Sequence, residues 1–541
     1  MNADDAQSIA SARRRAQGPI PRSPDTSFWL LSVLAFGVFI AADDLTVVSA
    51  MLPHMIVDFE IPIPSGLKDA SWIVSAYLIA YVVAMPLFGR LSDRYGRLQV
   101  YTACMALFLI GSIGVLLARN LPVLIIARAL QAFGGGGVVP IAIATVGDRF
   151  PEGRRGPAIG VLMVVDTLGW IWGPLYGSLL IRYGPDVGRW LAETFSFPSA
   201  VASWSWQWQF ALNIPLSLAA LVMAWMARWA LAAAPPEAPP MDWPGAGLLS
   251  GSLVALHIGI IRSGGSMEVA STGPRPLVDA PLWGGWPWLM GSSIGFAVFA
   301  LYEARRTAPL IPAALFRRRN FVLAGCINLL AGVGLITPMV QVPLFMNTLR
   351  AWGSTPEEWM GNAALLSGRV LTSLTLAMAL GSLAGGWGSR WVGHRGLAIP
   401  GIALAGLGLL GAASWRIDEP LPRMVAHMAL VGVGLGVTTT AIGVAGLDAA
   451  PAEGRGIASG LLLILRLIGM SVGLAWMATW GTSRFQALAA AYPLEALPEA
   501  LPGITLTIIQ ETFRLAATAM AMAIPTAIFL RAAGRPVRRS V

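Results

Sequence analysis

Charge is scarce in this chain. Asp, Glu, Lys and Arg make up 12% of its 541 residues, against about 25% in an ordinary soluble domain. Lysine is almost missing, with Lys68 the single example, so the net charge of +9 is carried by arginine. Only two cysteines occur, Cys104 and Cys326, far apart in apolar stretches. They build no disulfide framework and no metal site, and read as small buried hydrophobes. The four histidines do not cluster. His257 and His427 stand alone in separate apolar segments and read as polar packing residues. Gly134–Gly137 lacks the GK[ST] ending and strand context of a phosphate loop, so close helix packing explains it better. These absences exclude a soluble enzyme, a nucleic-acid-binding domain and a disordered chain. No catalytic constellation, cofactor site or metal site is expected.

What is present is hydrocarbon. Hydrophobic residues are 56% of the chain and its mean hydropathy is +0.66. Apolar stretches recur from Phe28 to Leu530, each about 20 residues long, the length that crosses a bilayer as a helix. The short alternating segments of a membrane β-barrel are not seen. The expectation is an all-α polytopic membrane protein with helices near 27–52, 70–91, 98–118, 121–147, 156–181, 208–230, 243–262, 283–304, 320–346, 363–388, 396–415, 422–447, 456–480 and 507–531.

Arginine sets the expected orientation. Arg13–Arg15, Arg90, Arg94, Arg97, Arg149, Arg154, Arg155, Arg305, Arg306, Arg317–Arg319 and Arg531–Arg539 fall on one side, which places both termini in the cytoplasm. The polar start, residues 1–26, reads as a tail rather than a signal peptide, because the apolar segment after it is too long for a signal core. Trp204, Trp206, Trp208, Trp283, Trp286 and Trp288 on the other side read as interface anchors. The proline run at 231–240 reads as a linker. The expected division is an N-terminal six-helix bundle over 27–230, a linker and two-helix insert over 231–305, a C-terminal six-helix bundle over 306–531, and a tail over 532–541. An internal echo supports two halves: Gly89, Ser92 and Gly96 recur as Gly386, Ser389 and Gly393, with Arg390 where the first copy has Asp93.

The chemistry-bearing residues are few. Gly89 to Arg97 reads GRLSDRYGR, in which Gly89 and Gly96 allow tight turning and Asp93 lies among Arg90, Arg94 and Arg97 for charge-assisted contacts. Asp43 and Asp44 lie in the first apolar segment, where an aspartate costs ~2.5–3.5 kcal/mol and needs a cavity or partner. Their side chains point about 100° apart on a helix, so one faces a cavity and the other packs elsewhere. Asp166 precedes Gly169, Gly173, Pro174 and Gly177, whose small residues suit close packing and whose proline can kink the helix. Arg128 and Arg466 are buried cations, one in each half, and each needs a carboxylate or carbonyls nearby.

GRLSDRYGR resembles the hallmark loop of the major facilitator superfamily. The run Asp44-Leu45-Thr46-Val47-Val48-Ser49-Ala50-Met51-Leu52-Pro53 is similar to the first-helix signature of its fourteen-helix drug:proton antiporter family. Arg128 with Gln131, Ala132, Phe133 and Gly134 resembles the fourth-helix motif. Gly169, Gly173, Pro174 and Gly177 resemble the fifth-helix antiporter motif, and Trp206, Trp208, Phe210, Asn213 and Pro215 the sixth-helix signature. Ser49, Ser178 and Gln207 depart from the usual residues. Trp72-Ile73-Val74, Tyr77-Leu78, Tyr81, Met85-Pro86-Leu87 and Gly173-Pro174-Leu175-Tyr176-Gly177 look like the mycobacterial exporters of triacylglycerides, which work with a periplasmic lipoprotein.

The resemblance implies a major facilitator fold with two inserted helices, fourteen in total, in the inner membrane. It implies a proton-coupled exporter of lipophilic or cationic compounds working by alternating access, of multidrug efflux type. The alternative is an exporter of lipids such as triacylglycerides, with a lipoprotein or adaptor as partner. The motif match selects Asp44 as proton carrier, with Asp166 as a second proton or cation site, Arg128 tuning the N-terminal acids, Asp93 a conformational latch and Arg466 a buried charge of the C-terminal half. A metabolite uniporter or importer and a non-transporting receptor compete. The Gly173-Pro174 motif argues against the first, and the retained Asp44, Arg128 and Asp166 argue against the second.

Overall fold

A computed structural model describes residues 24–61, 72–195, 204–228, 241–262, 284–306, 309–350, 356–389, 391–451, 454–493 and 495–530. Among them the long elements are α1 (Pro24–Asp58), α2 (Trp72–Tyr95), α3 (Arg97–Leu116), α4 (Leu121–Arg149), α5 (Glu152–Phe195), α6 (Gln207–Met226), α7 (Trp243–Arg262) and α8 (Trp286–Glu303). The short α9 (Ala313–Arg317) leads into α10 (Arg319–Phe345), α11 (Pro356–Gly388), α12 (Gly393–Ala412), α13 (Leu421–Ala449), α14 (Arg455–Ala489) and α15 (Leu497–Ile528). No strand occurs among the described residues. Ten of the helices are long and apolar enough to cross a membrane by length and composition. Linker 231–240, loop 263–282, Lys68 and Trp283 lie outside the described residues.

The helices end where the chain chemistry stops them. Asn120 caps α4 by accepting from the Val123 amide at 3.0 Å, satisfying one of the amide donors a helix start leaves open. Gly96 separates α2 from α3 at φ 95°, and Gly393 opens α12 at φ 75°, a left-handed backbone that glycine adopts without cost. Several helices outrun the apolar segments that announce them. Residues 183–195, expected as loop, continue α5, and 481–489 continue α14. Hydropathy marks the depth of the hydrocarbon, but the peptide ladder continues into water wherever side chains support it. Arg484 of α14, for example, donates to Glu511 of α15 through both Nε and Nη2, each at 2.9 Å.

α1 to α6 pack among themselves, with α1 on α5, α2 on α4, and α4 on α3. α10 to α15 repeat the scheme, with α10 on α14, α11 on α13, and α13 on α12. The two sets meet where α5 lies on α11 and where α14 lies on α2 and α4. α7 and α8 pair with each other, and α7 leans on α2 and α14. Cys104 is buried, whereas Cys326 is exposed. An apolar helix in lipid has no hydrophobic reason to turn every apolar side chain inward. Trp206 is no interface anchor: it is 2% exposed and donates its indole N–H to Asp58 at 2.7 Å.

The largest fully buried side chain is Trp415, packed edge-on against Phe345 and Phe513 and donating to His427 Nδ1 at 3.0 Å. Trp415 joins α10, α13 and α15 at one point. Replacing it by alanine is expected to cost about 3–5 kcal/mol, read as a lower thermal-unfolding midpoint. Trp391→Ala, at a side chain 87% exposed, is expected to leave that midpoint unchanged.

Candidate functional site

Three charged assemblies lie along the first set of helices and its junction with the second. The first closes the arginine-rich end. Asp93, at the end of α2, accepts from the Gly456 amide at 2.9 Å and from the Ile457 amide at 3.1 Å. Those amides open α14, where a helix presents unpaired N–H groups and the positive end of its dipole. Arg97 holds Asp93 at 2.7 Å and donates to the Ser92 hydroxyl at 2.6 Å. It also donates to Asp148 at 2.9 and 3.0 Å, and Arg455 reaches the same Asp148 at 3.1 Å. A β-carbon on Gly89 would stand 2.4 Å from the Gly456 carbonyl oxygen, so only glycine permits this approach of α2 to α14. Arg90 is buried and donates to the Pro309 carbonyl at 3.4 Å. Arg94 lies over the Tyr95 ring at 5.2 Å.

The second assembly is enclosed within the first six helices. Asp44 is 0% exposed. Its carboxylate accepts from Arg128 at 2.6 Å, Gln131 at 3.0 Å and Asn213 at 2.9 Å. Gln131 is itself fixed by donating to the Ser112 hydroxyl at 2.9 Å and accepting from Arg128 at 2.7 Å. The Arg128 guanidinium stacks on Tyr77, 4.0 Å from the ring centroid. Residues from α1, α2, α3, α4 and α6 therefore close around one buried ion pair. The fourth- and sixth-helix motifs are its donors. Asp43 points elsewhere and accepts from Gln209 of α6 at 3.0 Å. The two aspartates diverge, as adjacent helical positions must, but Asp44 faces neighbouring helices of its own half rather than the junction.

The third assembly crosses that junction. Asp166 of α5 accepts from Arg466 of α14, Nη2 to Oδ2 at 3.2 Å, and both residues are buried. A small cavity of about 30 Å³ lies on the arginine-rich side of this pair, lined by Ile143, Ile159, Met163, Asn328, Leu462 and Arg466 among others. A second of about 10 Å³ lies on the other side, lined by Asp166, Trp170, Leu335, Met339, Thr375 and Arg466 among others. Both linings are mostly apolar with a few polar groups, and each cavity has room for little more than water, so the two halves are packed closely around the pair. The pair is the partition between them. Gly169 sets α5 against α1 beside the acids: a β-carbon there would stand 2.7 Å from Ala42 and 2.9 Å from the Asp43 amide. Gly173 is buried, Gly177 faces Val47, and the side chain of Pro174 lies outside the described residues, as do those of Leu45, Thr46, Ser49, Ala50 and Pro53.

The profile of the Major Facilitator Superfamily matches residues 34–474. The chain belongs to the Major Facilitator Superfamily. As a member of the superfamily it is a multi-pass membrane transporter, not an enzyme. It is 29% identical over 474 residues to a triacylglyceride transporter of Mycobacteroides abscessus, covering 85% of this chain and 84% of the relative. A triacylglyceride transporter of Mycolicibacterium smegmatis is likewise 29% identical, over 84% of this chain and 76% of its own. Among solved structures, the human organic anion transporter MFSD10 superposes with a TM-score of 0.57 at 15% identity, covering 93% of this chain and all of that one. The proton:xylose symporter XylE superposes with a TM-score of 0.55 at 16% identity, covering 92% and 96%. At such identities these structures are alike in fold.

Motif reading named Asp166 and Arg466 but did not join them. The signal was in the chain. Asp148-x-x-Pro151-x-x-x-Arg155-Gly156 recurs as Asp448-x-x-Pro451-x-x-x-Arg455-Gly456, and the same step of 300 residues carries Asp166 onto Arg466. Equivalent positions in two copies related by a pseudo-two-fold axis face each other across it. The repeat also points to Asp148 and Asp448, which motif reading missed. Arg155 reaches Asp448 at 3.5 Å, mirroring Arg455 on Asp148. The weaker echo is structural too. Ser92 donates to the Gly89 carbonyl at 2.8 Å and Ser389 to that of Gly386 at 2.7 Å.

Removing one partner of a buried ion pair strands the other charge, at about 3–5 kcal/mol. Arg128→Met is expected to lower thermal stability by that amount by stranding Asp44. The double variant Arg128→Met with Asp44→Leu is expected to recover most of the loss. Unfolding midpoints of wild type and the two variants in one detergent measure both.

Proposed function

We propose that this transporter exports a lipid of triacylglyceride class in exchange for protons, with Asp166 and Arg466 as the coupling pair. The observation that carries the reading is the position of that pair, at the junction of the two sets of helices and between two apolar voids. A proton on Asp166 removes the charge that holds Arg466, and so loosens α5 from α14. Loss of that proton restores the ion pair and draws the helices together. The names of the mycobacterial relatives support a lipid cargo, and an acyl chain would find mostly apolar walls once the two halves part along this junction.

In this reading residues 27–230 and 306–531 are the rocking halves, the insert lies within 231–305, and both termini are cytoplasmic in the inner membrane. The Asp93 contact with α14 is then the cytoplasmic latch, broken each time the carrier opens inward. Asp44 and Arg128 keep the first half rigid and place Asp43 beside α5, with Asp44 a second acid on the proton path. A periplasmic lipoprotein would accept the lipid. Multidrug efflux is the competing reading, favoured by the antiporter motif that brings Gly169 of α5 against α1.

The test is transport in proteoliposomes under an imposed pH gradient, with labelled triacylglyceride and a lipophilic dye followed side by side. Wild type is expected to move the labelled lipid only with the gradient. Asp166→Asn keeps the shape but not the charge, and is expected to lose the gradient dependence. Its rate should fall roughly tenfold or more, given ~1.5–3 kcal/mol for a hydrogen bond to a charged group. Undiminished gradient-driven transport by Asp166→Asn would remove the residue from coupling. Dye movement without lipid movement would shift the cargo to small lipophilic compounds.

A further inference from the structure

One pair of acids belongs to none of these assemblies. Asp242 stands one residue before α7, and Glu303 is the last residue of α8, so the pairing of the two inserted helices brings them together at the arginine-rich end. Asp242 is 8% exposed. Its Oδ1 accepts from the Gly245 amide at 3.1 Å and the Tyr302 hydroxyl at 3.0 Å. Glu303 accepts from the Leu310 amide through Oε1 at 3.1 Å and from the Ile311 amide through Oε2 at 3.0 Å. Asp242 Oδ2 is buried with no donor. It faces Glu303 Oε1 across Gly245. A β-carbon on Gly245 would stand 2.7 Å from both Asp242 Oδ2 and Glu303 Oε1, so the two oxygens converge over a residue that has no side chain to part them.

Asp242 is buried and Glu303 half-buried, and two carboxylate oxygens turned toward each other there repel unless something positive lies between them. Arg306 does not fill the gap. Its guanidinium approaches Asp242 from the Oδ1 side at 3.9 Å and is engaged by the Tyr302 hydroxyl. A divalent cation takes about six oxygens, and three of the four carboxyl oxygens here are already engaged by N–H or O–H donors. A proton needs only the two that face each other. We infer that Asp242 and Glu303 form a proton-binding site, a carboxylic acid–carboxylate pair that holds one proton at the base of the inserted hairpin.

The pair is placed to matter to the gate. Glu303 fastens the amides of Leu310 and Ile311, both buried, and the Pro309 carbonyl just before them receives Arg90 of the GRLSDRYGR loop. When the proton leaves, like charge pushes the carboxyls apart and Glu303 loosens its hold on the segment leading to α10. The groups facing the pair are Tyr302 and Arg306 from α8 and its end and, through Pro309, Arg90 from α2. α14, which also packs on α7, has Arg455, Arg466 and Arg484 engaged with Asp148, Asp166 and Glu511. The inference does not depend on what is transported.

Infrared difference spectroscopy on the full chain in lipid tests it. Wild type minus Asp242→Asn, and wild type minus Glu303→Gln, are each expected to show the loss of one protonated-carboxyl C=O band at neutral pH. That band should vanish from wild type as the pH is raised. Asp242→Asn supplies its own N–H donor to Glu303, so it folds. Stability held by the shared proton is fully present at acid pH and is lost as pH rises through the titration of the pair. The thermal midpoint of wild type is thus expected to fall over that range by more than that of Asp242→Asn. No band lost in either variant would overturn the site. A shift of the carboxylate bands on adding magnesium or calcium alone would replace the proton by a metal ion and overturn it as well. Failure of lipid export in proteoliposomes, with the infrared bands as expected, would bear on the substrate and not on this site.

Discussion

The ion pair between Asp166 and Arg466 is the contact on which the arrangement of this transporter turns. Each charge is too costly to leave alone in hydrocarbon, and each finds its partner only in the other half of the molecule. Were the two charges in one half, that half would be self-sufficient and the middle of the junction would lose its ion pair, leaving the polar contacts at the arginine-rich end, Asp93 on α14, Arg455 on Asp148 and Arg155 on Asp448. Placed on α5 and α14, they give the junction a charge balance as well as a shape, which is what the proposed coupling uses.

The other assemblies follow the same rule with different reach. Asp44 and Arg128 satisfy each other inside one set of helices, with Gln131, Asn213 and Ser112 completing the shell, so their contribution is to the rigidity of that set. Asp93 uses no cation of the opposite half. It borrows the open amides at the start of α14, a partner present only while α2 and α14 are in contact. A buried pair within a half, a buried pair between halves and a carboxylate on a helix end thus form a series of decreasing permanence. The proposed cycle uses that order: bodies that stay intact, a centre that switches, and an end that opens.

The duplicated architecture explains why the charges meet as they do. The two copies of Asp-x-x-Pro-x-x-x-Arg-Gly put an arginine at the start of both α5 and α14 and an aspartate at the end of both α4 and α13. Each arginine then reaches the aspartate of the other copy. Symmetry would place identical residues opposite each other at the middle of α5 and α14. The chain breaks it there by pairing acid with base, which turns what would be repulsion into attachment.

Composition and apolar length were enough to establish a polytopic helical protein, because the hydrocarbon imposes its thickness on every helix that crosses it, while the superfamily was legible in the resemblance of the GRLSDRYGR loop; of the fourteen spans expected, ten described helices meet the length and apolarity of a crossing. The acids and arginines that matter were equally visible, since an ionisable residue in such a segment stands out against its neighbours. Their partners were not visible in any local motif, and only the 300-residue repeat pointed from Asp166 to Arg466. Asp44 lies 84 positions from Arg128 and Asp166 lies 300 from Arg466, and no local pattern reports a distance of that kind. Whether Asp44 faced the junction or its own helices depended on how α1 is rotated against α2, α4 and α6, which packing decides. The reach of α5 and α14 beyond the apolar segments, and the meeting of Asp242 with Glu303, belong to the tertiary structure for the same reason. A sequence states what each residue costs in a membrane, and only the packed helices determine which neighbour offsets that cost.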